Sequence, residues 1–215
     1  MKSIAACAYS IRSRALFGLF FLVLSGCGSL QPAARPVVYD FGPGPLAQAA
    51  TPRMAPLPAL AVADVQAARA LDGTAVLFRL AYSDAQQLRP YAQARWSMPA
   101  AELLRQRLRE HLGQRRAVLN PADGLGSAEP VRTLRLELDE FSQLFERSDT
   151  SVGLLRLRAT LSQPGSAGGE TLLAQRSFVV QRASPSQDAA GGVRALTAAA
   201  DAVIEEIDQW TAQIP

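Results

Sequence analysis

The sequence predicts an α+β fold: a single domain with a mixed, mostly antiparallel sheet and two main helices packed on one face, preceded by a Pro-rich tether. Apolar and polar residues alternate at period two over 134–139 and 155–161, which is typical of half-buried strands. Leucines recur at helical spacing over 103–112, and a second apolar stripe runs over 193–214. The chain order of strands, helix, strands and helix favours helices layered on one sheet.

The N-terminal segment resembles a bacterial lipoprotein signal. Lys2, Arg12 and Arg14 precede Ala15–Leu24, an apolar run of ten residues, which is shorter than the ~20 needed to span a bilayer. The following Leu24-Ser25-Gly26-Cys27 resembles a lipobox, in which the Cys thiol receives diacylglycerol before cleavage on its amino side. We therefore expect signal cleavage between Gly26 and Cys27 and lipid attachment at Cys27. An ordinary signal peptide or a membrane anchor that contains a Cys is the alternative.

Cleavage would change the charge and the cysteine content of the chain. The whole chain has 22 basic and 19 acidic residues, and three of the basic ones, Lys2, Arg12 and Arg14, lie in the signal segment. The mature chain is therefore formally neutral, which predicts no nucleic-acid footprint. Cys27 would be its single cysteine, so no intramolecular disulfide is expected. The residue after Cys27 is Gly28, whereas lipoproteins retained in the inner membrane often have Asp at this position. Gly28 therefore predicts an outer-membrane location that faces the periplasm.

Three regions follow from these patterns: a signal peptide over 1–26, a lipidated tether over 27–58, and a folded domain over 59–215. Residues 28–58 hold seven of the 14 prolines, so they predict an extended arm rather than a helix. Within that arm, Val37–Phe41 is strand-like and predicts a short edge strand on the main sheet.

The first half of the domain is predicted to contain short strands and one helix. Ala59–Val65 and Ala75–Tyr82 are strands, the second with Val76, Phe78, Leu80 and Tyr82 on one face, and Asp72-Gly73 between them predicts a turn. Leu88–Ala94 is a weaker strand in which Pro90 favours an edge position. A helix is expected from Pro99 to about Leu112, with Gly113 as its C-terminal cap, followed by a short strand over Arg116–Asn120.

The second half predicts an antiparallel meander and a helix. Strands are expected near Leu134–Asp139, Leu155–Leu161 and Thr171–Gln181, joined by loops near 142–151 and 163–170. Arg156 and Arg158 could then face Glu137 and Asp139 across strands. Apolar residues recur at intervals of three and four from Val193 to Ile214, after Gly191-Gly192. This spacing fits a helix packed on the sheet and also a short coiled-coil seam.

The sequence predicts no catalytic, cofactor-binding or metal site. His111 is the only histidine and has no companion Cys or His at ligand spacing. Glu205 and Glu206 are adjacent on a helix, so they point in different directions and are expected to be solvated. Trp96 and Trp210 are expected in the core. We therefore expect a protein that is not an enzyme, although Ser/His/Asp triads that converge in the fold are not excluded by spacing.

Several segments together resemble the ABC-type transport auxiliary lipoprotein family, which includes paraquat-inducible protein C. They are, in chain order, Cys27, Tyr39-Asp40-Phe41-Gly42, Leu71-Asp72-Gly73 with Val76–Arg79, Tyr91–Trp96 with Pro99, Leu103 with Leu108, and the helix that ends near Trp210. The block from Tyr91 to Pro99 is the most specific of these.

The resemblance implies a non-enzymatic outer-membrane lipoprotein that meets an MCE-domain protein of an inner-membrane ABC transporter and helps lipids cross the periplasm. It also makes a homo-oligomeric ring plausible. Three alternatives stay open. The domain could be a binding module for lipopolysaccharide assembly or peptidoglycan-synthase activation, it could itself carry a phospholipid, or it could be an anchored hydrolase.

Overall fold

The computed structural model describes residues 35–44, 57–123, 130–165 and 169–215. It has the predicted α+β fold, with one mixed sheet of nine strands and three helices in the described part of the chain. The strands are β1 (Val37–Tyr39), β2 (Leu60–Val62), β3 (Gln66–Ala67), β4 (Ala75–Leu80), β5 (Ala85–Trp96), β6 (Val118–Leu119), β7 (Arg132–Arg147), β8 (Thr150–Pro164) and β9 (Glu170–Ala183). The helices are α1 (Ala81–Asp84), α2 (Ala100–Leu112) and α3 (Ala189–Gln213).

Strand β7 is a central strand of the sheet and pairs with other strands on both sides. Along one side it pairs antiparallel with β8 over nearly its whole length, and β9 pairs antiparallel with β8. Along its other side β7 pairs parallel with β2, β3 and β4 in succession. Beyond them, β6 pairs with β2, β5 pairs with β4, and β1 pairs parallel with β5.

The predicted meander of three long strands is confirmed, but the predicted loop over 142–151 is wrong. Strands β7 and β8 continue through that stretch and are joined by Ser148 and Asp149 alone. The polar residues Ser142 and Gln143 interrupt the apolar alternation, yet both are fully buried. Each forms side-chain hydrogen bonds, which offsets the cost of burying a polar group.

The first two predicted strands are shorter than expected and do not pair with each other. The stretch Ala59–Val65 forms only β2, and the short β3 follows it. After a 3₁₀ turn at Arg69–Leu71 and the predicted turn at Asp72-Gly73, β4 continues along the same side of β7. Strand β4 ends at Leu80, so Tyr82 lies on α1 with 52% of its surface exposed and does not continue the predicted strand face.

The weak strand predicted at Leu88–Ala94 is part of the longer β5. Strand β1 covers its outer side only at Ala94–Trp96. Pro90 lies before that contact, opposite Leu77 of β4, so its missing N–H interrupts no pairing with β1. The edge position inferred from Pro90 is therefore confirmed for this part of β5.

Both main helices form where the apolar stripes predict them. Helix α2 begins after Pro99, which is its N-cap, and ends before Gly113. Helix α3 begins two residues before Gly191, and Asp188 caps it by accepting a hydrogen bond from the Gly191 N–H. Its apolar stripe is buried, as expected for a helix packed on the sheet: Val193, Leu196, Ala200, Val203, Ile207 and Trp210. The helix therefore contributes its stripe to the core of its own domain.

Glycines set the closeness of α3 to the sheet. A Cβ atom at Gly153 of β8 would lie 2.6 Å from backbone atoms of Ala195 and Leu196. A Cβ atom at Gly192 would overlap the amide of Gln143. The first turns of α3 therefore rest directly on the β7–β8 ladder, because neither position carries a side chain.

Candidate functional site: the anchored segment and the interhelical charges

The predicted lipid-attachment and cleavage residues, Cys27 and Gly26, lie outside the described residues. The described chain begins at Arg35, and β1 then joins the sheet beside β5. Just after β1, Phe41 enters the core with 7% of its surface exposed. Its ring packs edge-on against Trp96 at a centroid distance of 5.6 Å and lies 6.0 Å from Phe141. Residues 37–41 therefore form part of the sheet and core.

A buried arginine holds the residues that follow β1, Asp40–Gly44, which we call the strap. The Arg107 guanidinium donates from Nη2 to the Phe41 carbonyl at 2.8 Å and from Nε to Asp201 of α3 at 2.9 Å. The strap has a positive φ of 67° at both Gly42 and Gly44, a conformation that favours glycine. A Cβ atom at Gly44 would also overlap the Arg107 guanidinium. One side chain of α2 thus ties the strap to α3.

Two pockets border the strap. One, of about 210 Å³, lies between the strap, Met98 and Leu103, and the other, of about 250 Å³, lies between the strap, α2 and α3. Arg107 and Glu110 border both. The larger pocket also has Glu205 and the Arg107–Asp201 pair on its wall. Its charges are mixed, and its cationic guanidinium already binds Asp201.

The C-terminal ends of α2 and α3 are joined by a charge cluster centred on Asp208, whose side chain is only 7% exposed. Arg116 donates to Asp208 Oδ1 at 2.7 Å, and Arg115 lies 3.7 Å from Oδ2. His111 Nε2 lies 3.7 Å from Asp208 Oδ2 and 3.4 Å from Glu205. Contact with Asp208 raises the pKa of His111 despite partial burial, and the same contact lowers the pKa of Asp208. His111, the single histidine of the chain, therefore lies in a network of ion pairs between α2 and α3.

The Tyr91–Pro99 block joins three parts of the fold. Tyr91 donates its hydroxyl to Gln143 Oε1 at 2.7 Å, and burial, with a smaller effect of Asp188, raises its pKa to about 12. The Gln143 amide donates to Ser151 Oγ, and Ser151 donates to Gln187 before α3. At the other end of the block, Trp96 is buried as predicted, and Pro99 caps α2.

The predicted cross-strand charges are present in part. Arg158 lies 3.3 Å from Glu137 on the exposed face of the sheet. Arg156 is opposite Glu140 in the register, but the Glu140 carboxylate binds Arg79, with a shortest distance of 2.9 Å. The bulge between Leu138 and Glu140 changes which residues face each other, and the sequence pattern did not indicate it.

Sequence reasoning missed the buried polar residues Arg107, Asp208 and Gln143. Spacing could have indicated the first two, because Arg107 lies four residues after Leu103 and Asp208 lies four residues after Ile204, another buried apolar residue. No local signal indicates Gln143, whose partners come from other strands.

The described residues contain no group of three or more His, Cys, Asp or Glu side chains placed to hold a metal ion. Among those same residues, no helix combines the length and hydropathy needed to cross a bilayer.

The sequence model of the ABC-type transport auxiliary lipoprotein component family matches residues 39–208, which include the strap, the Tyr91–Pro99 block and most of α3. The chain belongs to this family. Members of this family are lipoproteins that serve as auxiliary components of ABC-type transport, so family membership associates the chain with an ABC transport system.

Solved structures have the same fold. The crystal structure of protein XCC0632 from Xanthomonas campestris, of family DUF330, superposes with a TM-score of 0.63 at 23% identity over 82% of this chain and 95% of its own. A second crystal structure, of an uncharacterized protein, gives a TM-score of 0.59 at 15% identity over 82% of this chain and 99% of its own. No curated protein matches the chain.

Proposed function

We propose that this protein is a non-enzymatic lipoprotein of the outer membrane that docks an MCE-type ABC transport system and helps it move lipids between the two membranes. The match of residues 39–208 to the transport auxiliary family carries the proposal. The lipobox-like Leu24–Cys27 supplies the anchor, and Gly28 favours export to the outer membrane.

The packing of the N-terminal segment supports a docking role. The segment that follows Cys27 enters the sheet at β1, and the strap is bonded to α2 and α3 through Arg107. A load applied at a lipidated Cys27 would therefore reach the sheet and both helices. The ion pairs Arg107–Asp201 and Arg116–Asp208 also connect α2, and the segment that follows it, to α3.

Lipid attachment is tested by expressing the full chain in bacteria supplied with a radiolabelled fatty acid. The wild-type chain should carry label and fractionate with the outer membrane, whereas Cys27→Ala should carry none. Cys7→Ala is the matched control, because that cysteine lies in the discarded segment and its loss should leave labelling unchanged. Equal labelling of the wild type and Cys27→Ala would overturn the anchor assignment.

The partner is tested by crosslinking cells that produce the tagged full chain, followed by purification and mass spectrometry. An MCE-domain protein should be recovered with the wild type, and less of it with Cys27→Ala, which lacks the anchor. Reproducible absence of MCE-domain proteins would overturn the proposal. Recovery of lipopolysaccharide-assembly or peptidoglycan-synthase proteins in their place would favour the alternative of another envelope machine.

A further inference from the structure

We propose that the anchored domain presents the β7–β8 turn end of its sheet to the lipid bilayer. This inference rests on the proposed anchor at Cys27. Val37, the first residue of β1, lies ten positions after Cys27 in the chain. At 3.3–3.6 Å per residue, a chain of that length reaches at most about 36 Å. The part of the predicted tether that precedes β1, residues 28–36, is thus shorter than β7, whose 16 residues span about 50 Å. It is this part that we call the tether below.

The pairing of the strands gives the direction in which the tether leaves. Strand β1 is parallel to β5, β5 is antiparallel to β4, and β4 is parallel to β7. Strand β1 is therefore antiparallel to β7, and its N-terminal end points the same way as the C-terminal end of β7. That end of the sheet carries the Ser148-Asp149 turn, α1 and the start of α3.

The register also gives the level of β1 along the sheet. Val37 is beside Ala94, Arg95 is opposite Ala75, and Phe78 is beside Gln143. Counting along these pairs places Val37 near the level of Phe141. From there β7 runs about 20 Å to Arg147 and about 30 Å back to Arg132, at roughly 3.3 Å per residue.

These lengths favour one orientation. With the β7–β8 turn towards the membrane, a tether that reaches at most ~36 Å has to cover only about 20 Å, which leaves about 15 Å to spare. With the opposite end towards the membrane, the tether would have to reverse and use about 30 Å of its ~36 Å merely to return past the domain.

The surface of the β7–β8 turn end suits contact with a bilayer. Tyr82 of α1 is half exposed there, and it is the only aromatic among the exposed large apolar side chains of the described residues. Tyrosine favours the headgroup region, where its ring and hydroxyl meet apolar and polar surroundings. The charges at this end are mixed, with Asp84, Glu146 and Asp149 against Arg147. The orientation should therefore not require anionic lipid.

Energy transfer to labelled lipid measures this orientation. Residues 28–215 carry a hexahistidine tag in place of Cys27 and are bound to phosphatidylcholine vesicles that contain nickel-chelating lipid and a headgroup-labelled acceptor. A donor dye is attached at Asp149→Cys or at Gly169→Cys, at opposite ends of β8. The two ends of β8, a strand of 15 residues, lie about 46 Å apart. We expect clearly greater transfer from position 149 than from 169, with or without anionic lipid in the vesicles. Equal transfer, or greater transfer from 169, would overturn the proposal.

A longer tether provides the matched control. Twenty Gly/Ser residues inserted between Ala34 and Arg35 add roughly 25 Å of root-mean-square reach. The difference between positions 149 and 169 should then shrink severalfold, and an undiminished difference would overturn the role of tether length. Because the tag replaces the lipid, these results do not depend on lipidation of Cys27. Failure of Cys27 to incorporate fatty acid would overturn the anchor alone.

Discussion

Buried charged residues hold together parts of this protein that are distant in sequence. Arg107 is 7% exposed and joins the strap to α3, and Arg116 binds the nearly buried Asp208. Removing Arg116 would leave the nearly buried Asp208 without this partner, and removing Arg107 would leave the Phe41 carbonyl without its donor. Either loss costs more than the loss of an exposed ion pair. These residues are therefore where single substitutions should have the largest electrostatic effects.

Arg107→Ala should lower the free energy of unfolding by about 1.5–3 kcal/mol, the range for hydrogen bonds to charged groups. The substitution leaves the Phe41 carbonyl without its donor, whereas the exposed Asp201 regains water. Urea unfolding followed by circular dichroism measures the change. Arg105→Ala is the control, because its pair with Glu102 is more exposed and should contribute at most about 1 kcal/mol. Equal losses for both variants would contradict the role given to Arg107.

The His111 contact should make stability depend on pH. Because Asp208 raises the pKa of the folded-state histidine, the stabilisation is fully present below the unfolded value of about 6.5 and is lost as pH rises through the folded value. His111→Gln should therefore destabilise the domain more at pH 5.5 than at pH 8.5, by about 0.5–1 kcal/mol. Urea unfolding of both proteins at the two pH values measures this. A difference that is the same at both pH values would be inconsistent with a charged His111.

At the level of elements, the position of α3 depends on the absence of side chains at its contact with the sheet. Gly153 of β8 lies directly under Ala195 and Leu196, and Gly192 lies beside Gln143. This closeness lets the apolar stripe of α3 reach the leucines of β7 and β8. It also places the N-terminus of α3 over the hydrogen-bonded group of Tyr91, Gln143 and Ser151.

Gly153→Ala should destabilise the domain by about 1–3 kcal/mol, because the added methyl group meets the backbone of α3, which must move away from β8. Thermal and urea unfolding measure the loss. Gly169→Ala is a matched control, since a Cβ atom there meets nothing within 4 Å. A stable Gly153→Ala protein with an unchanged urea midpoint would show that α3 can shift at little cost.

The sequence predicts best the elements whose apolar residues all belong to one buried face. The stripes of α2 and α3 and the alternation in β7 and β8 each report one buried face, and all four were found. The loop predicted near 142–151 is wrong because the polar Gln143 is buried within β7 by hydrogen bonds with Tyr91 and Ser151 of other strands, which no local pattern indicates. In the sequence, Tyr82 continues the period-two pattern of β4, but the strand ends at Leu80 and Tyr82 lies in α1.

The candidate site was less predictable than the fold. The strap depends on Arg107, whose partners are 66 and 94 residues away in the chain, so no local pattern reports them. Strand β1 was predicted from Val37–Phe41, but its depth of insertion depends on Phe41 meeting Trp96 and Phe141. Such contacts between distant segments appear only once the strands are in register.

At the scale of the whole molecule, the segment nearest the predicted anchor is also a structural part of the domain. Strand β1 extends the sheet, Phe41 fills the space between Trp96 and Phe141, and the strap covers α2. A chain that begins at Pro36 keeps all of these contacts, whereas one that begins after Gly44 loses them together.

A chain of residues 36–215 should therefore unfold with the same urea midpoint as residues 28–215, and residues 45–215 should be less stable. Loss of Phe41 alone leaves a core cavity of the kind that costs about 3–5 kcal/mol for Phe→Ala, and loss of β1 exposes further surface of β5. Urea unfolding of the three chains measures this. Phe41→Ala in the 28–215 chain separates the ring from the strand and should reproduce most of the loss, whereas Val38→Ala, at a residue 63% exposed, should change little. Equal stability of the 36–215 and 45–215 chains would mean that β1 and the strap contact the domain without stabilising it. A load applied at Cys27 would then not reach the core through them.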